Sequence, residues 1–175
     1  MQCQSAIPLT TPVDTVWARL TASSVLHRAF RLVKANHGAG GTDKVSIAQY
    51  EPHLDQNLRE LQRELRQGTY EPLPVRRVWI PKANGDKRPL GIPTIRDRIV
   101  QQALRLVLEP YFEPVFSDAS YGFRPRRSAL QAIHKVEEHL TQGCTWIVEA
   151  DIKDFFTTLN HDRLLDLLCQ SVPDL

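Results

Sequence analysis

Asp151 stands at the end of the β-prone run 145–150, and Phe155 and Phe156 follow it closely. An apolar strand that ends on a carboxylate suits a hard cation, because Mg²⁺ takes oxygen ligands and pairs of such ions drive phosphoryl transfer. Strand alternation would put Ile147, Glu149 and Asp151 on one face and Trp146, Val148 and Ala150 on the other. For a single aspartate, a solvated sheet edge or a helix cap is the alternative. Asp154 and Asp162 read as capping or surface residues. Further upstream, Lys82 and Arg88 flank the turn-forming pair Asn84-Gly85. A point charge and a bidentate fork there could hold phosphate oxygens, or could simply keep a hairpin edge soluble. Between these regions lies Ser120-Tyr121-Gly122-Phe123-Arg124-Pro125-Arg126-Arg127. Its aromatics could stack on bases while its arginines meet phosphates, with Arg124 pointing at the ligand; alternatively Tyr121 and Phe123 pack into a core.

Charge is divided unevenly among these regions. Residues 59–105 hold 11 Lys/Arg against 5 Asp/Glu, whereas residues 136–175 hold 2 against 8. A basic stretch beside an acidic one suits a polyanion track leading to a cation site, though solvated faces give the same pattern. With 42% hydrophobic and 24% charged residues, the 175-residue chain has the composition of a folded protein and can bury a core. No apolar run nears the ~20 residues of a membrane span, and the N-terminus lacks a signal-peptide pattern. Cys3, Cys144 and Cys169 are odd in number and too scattered to form a ligand set. The expected setting is a reducing cytoplasm, with no membrane partner.

These residues need elements to place them. Thr11-Pro12-Val13-Asp14 reads as a helix start, and Trp17, Leu20, Leu26, Phe30 and Val33 continue an apolar helical face. The glycine-rich run 37–43 reads as a joint between an N-terminal extension and the next region. Leu54, Leu58, Leu61 and Leu65 predict a helix over 52–67 with Gly68 as its cap. Runs 75–80 and 90–92 predict a hairpin. Thr94 opens a helix that should stop near Pro110, and Ser128 opens another, with Ala129, Ile133, Val136 and Leu140 on one face. A strand over 145–151 and a helix over 160–168 complete an α+β order.

Three blocks in series, VWIPKANGDKRPLGIPTIRDRIVQQAL, SYGFRPRRSALQAI and WIVEADIKDFFTTLNHDRLL, resemble the N-terminal half of group II intron-encoded reverse transcriptases. The resemblance implies the fingers and incomplete palm of a right-hand polymerase fold. It assigns residues 1–38 to a helical extension, 39–118 to fingers and 119–175 to the start of the palm. It also implies that Lys82 and Arg88 hold the incoming nucleotide's triphosphate. Asp151 and the Ile152 carbonyl would bind Mg²⁺, two ions in the complete enzyme. Phe156 would exclude a 2′-hydroxyl, with Phe155 beside it in the core. Phe123 would line the nucleotide pocket, and Tyr121, Arg124, Arg126 and Arg127 would meet nucleic acid. Implied partners are RNA template or intron RNA, a DNA primer and dNTPs, with a dimer or a second chain completing the palm. Two features depart from the family: Lys44 stands where many relatives carry glycine, and no Tyr-x-Asp-Asp block occurs in these 175 residues. The second departure implies that the chain alone does not polymerise, leaving a non-catalytic RNA-binding or maturase-like segment as the alternative.

Overall fold

The computed structural model describes residues 15–81, 83 and 85–172. The helix start read at 11–14 and the hairpin positions Lys82 and Asn84 therefore lie outside the described residues. The chain divides into two compact units, one running to Leu108 and the other covering Glu109–Val172.

In the first unit, α1 (Val16–Leu20) starts where the Thr15 hydroxyl accepts a bond from the Ala18 N–H at 3.0 Å. Helix α2 (Ser23–Ala35) turns Leu26, Ala29, Phe30 and Val33 inward at helical spacing. After α3 (Ile47–Tyr50) and a 3₁₀ turn over Glu51–His53, α4 (Leu54–Gln67) buries Leu58, Leu61 and Leu65. The helix stops at Gly68, whose φ of 67° lets the last carbonyls be capped by backbone N–H groups. Phe30 stacks on Tyr50 with ring centroids 5.9 Å apart. Burial pushes the Tyr50 pKa up to about 12, so the phenol stays neutral at physiological pH. Gln62 ties α4 to the turn after α1 by donating to the Thr21 carbonyl at 2.6 Å.

Strands β1 (Arg76–Pro81) and β2 (Lys87–Ile92) form an antiparallel hairpin in which Trp79 faces Pro89 and Ile80 faces Arg88. Helix α5 (Ile95–Phe112) follows at once and ends two residues after Pro110, near its expected stop. Its start is organised by the buried Asp97. That carboxylate accepts from the Tyr70 hydroxyl at 2.6 Å, the Thr94 hydroxyl at 2.7 Å and the Leu73 N–H at 3.3 Å. Burial, and then the bond to Asp97, push the Tyr70 pKa upward. Arg96 pairs with Glu64 and lies 5.6 Å over the Tyr70 ring, linking α4 to α5.

The glycine-rich run is a clasp rather than a joint. Arg98 donates to the Ala39 carbonyl at 2.6 Å, Arg76 to the Gly40 carbonyl at 3.0 Å and the Thr42 hydroxyl to the Pro74 carbonyl at 2.9 Å. A Cβ on Gly41 would lie 2.6 Å from the Thr94 backbone nitrogen, so only glycine lets the two backbones touch. Lys44 sits at φ 57°, a conformation that favours glycine, which gives the departure at this position a physical meaning.

In the second unit, a 3₁₀ turn (Glu113–Val115) leads through a loop to α6 (Ala129–Thr141), which a Ser128–Gln131 capping box initiates. Helices α7 (Phe155–Thr158) and α8 (His161–Ser171) follow, the latter capped by Asn160. None of the three buries a residue; Ile133, Val136 and Leu140 form the expected face of α6 but remain exposed. The strand expected over 145–151 is not formed. Among the described residues the only sheet is β1–β2, and a strand exists only through a partner's hydrogen bonds.

Gly41→Ala should cost about 1–3 kcal/mol by forcing backbone against backbone. Urea unfolding measures it, and an unchanged midpoint would refute the clasp. A second expectation concerns pH. His27 presents Nε2 to Asp55 Oδ1 at 2.9 Å and Nδ1 to the Ser23 carbonyl at 2.8 Å. The bond to Asp55, and then the bond to Ser23, raise its pKa above 6.5. The stabilisation is therefore complete below pH 6.5 and fades as pH rises through the higher folded value. His27→Gln should cost a few tenths of a kcal/mol at pH 5.5, the scale of an exposed pair, and less at pH 8.5. Equal costs at both pH values would contradict this.

Candidate nucleic-acid and nucleotide site

The hairpin alternation decides which cations share a face. Directly opposed residues project together, so Arg88 sits with Ile80, Val78 and Leu90. Trp79, Pro89 and Lys87 occupy the other face. Arg88 is exposed at the β2 end nearest the hairpin tip, where a triphosphate could reach it.

In the second unit the arginine-rich loop separates into distinct roles. Arg124 is turned inward, and its side chain is only 8% exposed. Its Nε meets Glu113 Oε1 at 3.1 Å, and Nη2 meets the same oxygen at 3.0 Å and the Glu113 carbonyl at 3.4 Å. Nη1 donates to the Ser117 and Ser120 carbonyls at 2.6 and 3.0 Å. All five guanidinium donors are thus engaged, and the group lies 5.2 Å over the Phe116 ring. The expectation that Arg124 meets nucleic acid is corrected by this geometry: it ties the loop to the end of α5.

Arg127 is held between the Asp118 carboxylate at 2.7 Å and the face of half-buried Tyr121, at 5.6 Å from its centroid. Arg126 is exposed at φ 59° and makes no hydrogen bond or ion pair among the described residues. Phe123, at φ 56°, is fully exposed, so the core reading of that residue fails and its ring is free to contact a ligand. Tyr121, Arg127, His134 and Lys135, together with the acidic Asp118 and Glu138, line a cleft of about 680 Å³ along α6. Within it Lys135 donates to Glu138 at 2.7 Å, which raises the lysine pKa and lowers the glutamate's.

Asp151 and Ile152 are both exposed in the segment between α6 and α7. Their oxygens suit a hard divalent cation in type, but two donors are too few for the roughly six that Mg²⁺ takes. Among the described residues no cluster of three His, Cys, Asp or Glu side chains could hold a metal. Asp154 turns the chain at φ 53° into α7. Phe155 and Phe156 meet edge to face with centroids 5.2 Å apart, and Phe156 is the more exposed. Phe155 is itself 43% exposed, so its expected place in a core is corrected too.

Sequence reasoning missed Asp97 as an organising carboxylate and Glu113 as the arginine's partner. The capping form at Thr94 hinted at the first, but Tyr70 and Leu73 lie too far upstream in sequence for local patterns to reveal. Glu113 carried no signal beyond its charge.

Residues 80–172 match the reverse transcriptase (RNA-dependent DNA polymerase) family, a span that includes Arg88, the arginine loop, Asp151 and Phe156. The chain belongs to that family. Protein YkfC of Escherichia coli K12 is 42% identical over 161 residues, covering 89% of this chain and 42% of YkfC. The group II intron-encoded protein LtrA of Lactococcus lactis is 36% identical over 168 residues, covering 93% of this chain and 28% of LtrA. A chain of the partial Cas6-RT-Cas1–Cas2 complex superposes with a TM-score of 0.53 at 23% identity, covering 90% of this chain and 26% of that one. The fold is accordingly that of the fingers and the beginning of the palm, and the resemblance to group II intron reverse transcriptases stands. The chain spans less than half the length of these two curated relatives.

Arg124→Gln should destabilise the protein by about 2–3 kcal/mol by stranding the Glu113 carboxylate and three carbonyls, whereas Arg126→Gln should leave stability unchanged. Thermal unfolding of both variants checks this. An Arg124→Gln protein as stable as the parent would remove its structural role.

Proposed function

We propose that this chain is the fingers and first palm segment of an RNA-directed DNA polymerase of group II intron type, acting on a primer 3′-hydroxyl with an RNA template and dNTPs. The observation that carries the reading is the family match across 80–172, which spans Arg88, Asp151 and Phe156 in one continuous block. Arg88, with Lys82, balances charge on the incoming triphosphate. The Asp151 carboxylate and the Ile152 carbonyl supply oxygen ligands to a divalent cation, with further ligands coming from outside this segment. When bound, two Mg²⁺ ions would activate the 3′-hydroxyl and balance charge on the phosphates. Phe156, with its ring exposed, excludes the ribose 2′-hydroxyl of the incoming nucleotide in this reading. The cleft beside Arg127 and the exposed Arg126 support a second reading, an RNA-binding or maturase-like segment without catalysis.

In a protein carrying this segment with a complete palm, Asp151→Asn should lower template-dependent dNTP incorporation by at least about 10²-fold, with circular dichroism unchanged. Phe156→Val should raise the ribonucleotide share about tenfold or more, the scale of removing one well-packed contact. Full activity in the first variant sinks the metal role of Asp151, and an unchanged nucleotide ratio in the second sinks the gate. If the parent itself binds RNA but incorporates no dNTP, the binding reading is favoured.

A further inference from the structure

The outer face of the hairpin is a flat platform. Trp79 is its centre, 55% exposed, with Pro89 directly opposite. Two residues back on β1 the same face carries Arg77, opposite Gly91, and two residues on it carries Pro81, opposite Lys87. Strand rise puts each cation's row about 7 Å along the sheet from the indole's row, on opposite sides of it. Neither Arg77 nor Lys87 is engaged in a hydrogen bond or ion pair among the described residues, and none of the six residues is acidic. Their neighbours on the inner face behave differently: Arg76 is spent on the Gly40 carbonyl, and Val78 and Ile80 are less exposed.

A large exposed aromatic costs free energy in water unless something covers it, and its flanking charges define what can do so. An apolar protein surface would have to desolvate both cations without pairing them. A nucleic-acid strand meets each requirement: a base covers the indole, and the phosphates on either side neutralise Arg77 and Lys87. A duplex cannot, because its bases are already stacked on one another. Pro81 and Pro89 project little beside the ring, and the Val75 side chain packs over Gly91 in the row of Arg77, one row away from the indole.

We propose that the Arg77–Trp79–Lys87 face of the hairpin binds single-stranded nucleic acid, with one base stacked on Trp79. This surface is opposite the one that carries Arg88, so it is a second site on the same hairpin. It concerns strand binding rather than chemistry and does not depend on Asp151.

Fluorescence anisotropy of the 175-residue chain with end-labelled oligo(U) and oligo(dT), across a salt series, tests it. Trp79→Ala should weaken binding about 5- to 150-fold, the range for losing one stacked base, while Trp79→Phe should restore most of it. Arg77→Gln with Lys87→Gln should reduce the slope of log affinity against log salt by about 1.4, two contacts at about 0.7 each. Comparison of the two oligonucleotides shows whether the 2′-hydroxyl matters, and either preference fits the proposal. Three results would overturn it: no binding by the parent chain at low salt, unchanged affinity in Trp79→Ala with circular dichroism intact, or an unaltered salt slope in the double variant. A Trp79→Ala chain whose only change is reduced self-association in light scattering would instead assign the face to protein contact.

Discussion

The first unit depends on one buried carboxylate. Withdrawing Asp97 from water costs several kcal/mol, and each bond from a neutral donor to a charged acceptor returns about 1.5–3. One donor would leave the residue a liability; three make it a fastening. What it fastens is the start of α5, the chain between α4 and β1, and through Arg96 and Glu64 the end of α4 itself. The Gly41 backbone then packs against Thr94, the residue whose hydroxyl completes the Asp97 set. The hairpin enters and leaves this knot, so the face on which Arg88 stands is fixed by bonds made well away from its tip.

The second unit is organised on a different principle. Its two longer helices, α6 and α8, start where capping side chains dictate, at Ser128 and Asn160, and its loop is fixed by Arg124 and Glu113. All of these are short-range devices. Leu130, Ile133 and Val136 on α6 and Trp146, Val148 and Phe156 beyond it remain open to solvent. Local sequence is enough to shape these elements, and their apolar faces stay uncovered among the described residues.

This contrast explains how much could be read without coordinates. Helices α4, α5, α6 and α8 were legible because capping residues, Gly68 and regular apolar spacing are local signals. The hairpin was legible for the same reason. The strand at 145–151 was over-read: alternation and β-branched residues describe a segment able to pair, and pairing is decided elsewhere. The glycine run was under-read, since a loop and a clasp share one composition and differ only in what approaches the missing Cβ. Arg124 illustrates the limit at a candidate site. Its neighbours and charge are those of a phosphate ligand, and only Glu113, the Ser117 and Ser120 carbonyls and Phe116 reveal it as a structural post.

The two prolines of the hairpin have an effect beyond flattening a face. Lacking an N–H, Pro81 and Pro89 fit an antiparallel ladder only at positions whose nitrogens point outward, away from the partner strand. Each outer edge of this two-stranded sheet therefore lacks a donor where an added strand would need one. Among the described residues no third strand flanks the hairpin, and its edges would otherwise be a template for edge-to-edge association. The prolines blunt both margins, so the hairpin can stand exposed with its faces available and its edges closed to strand addition.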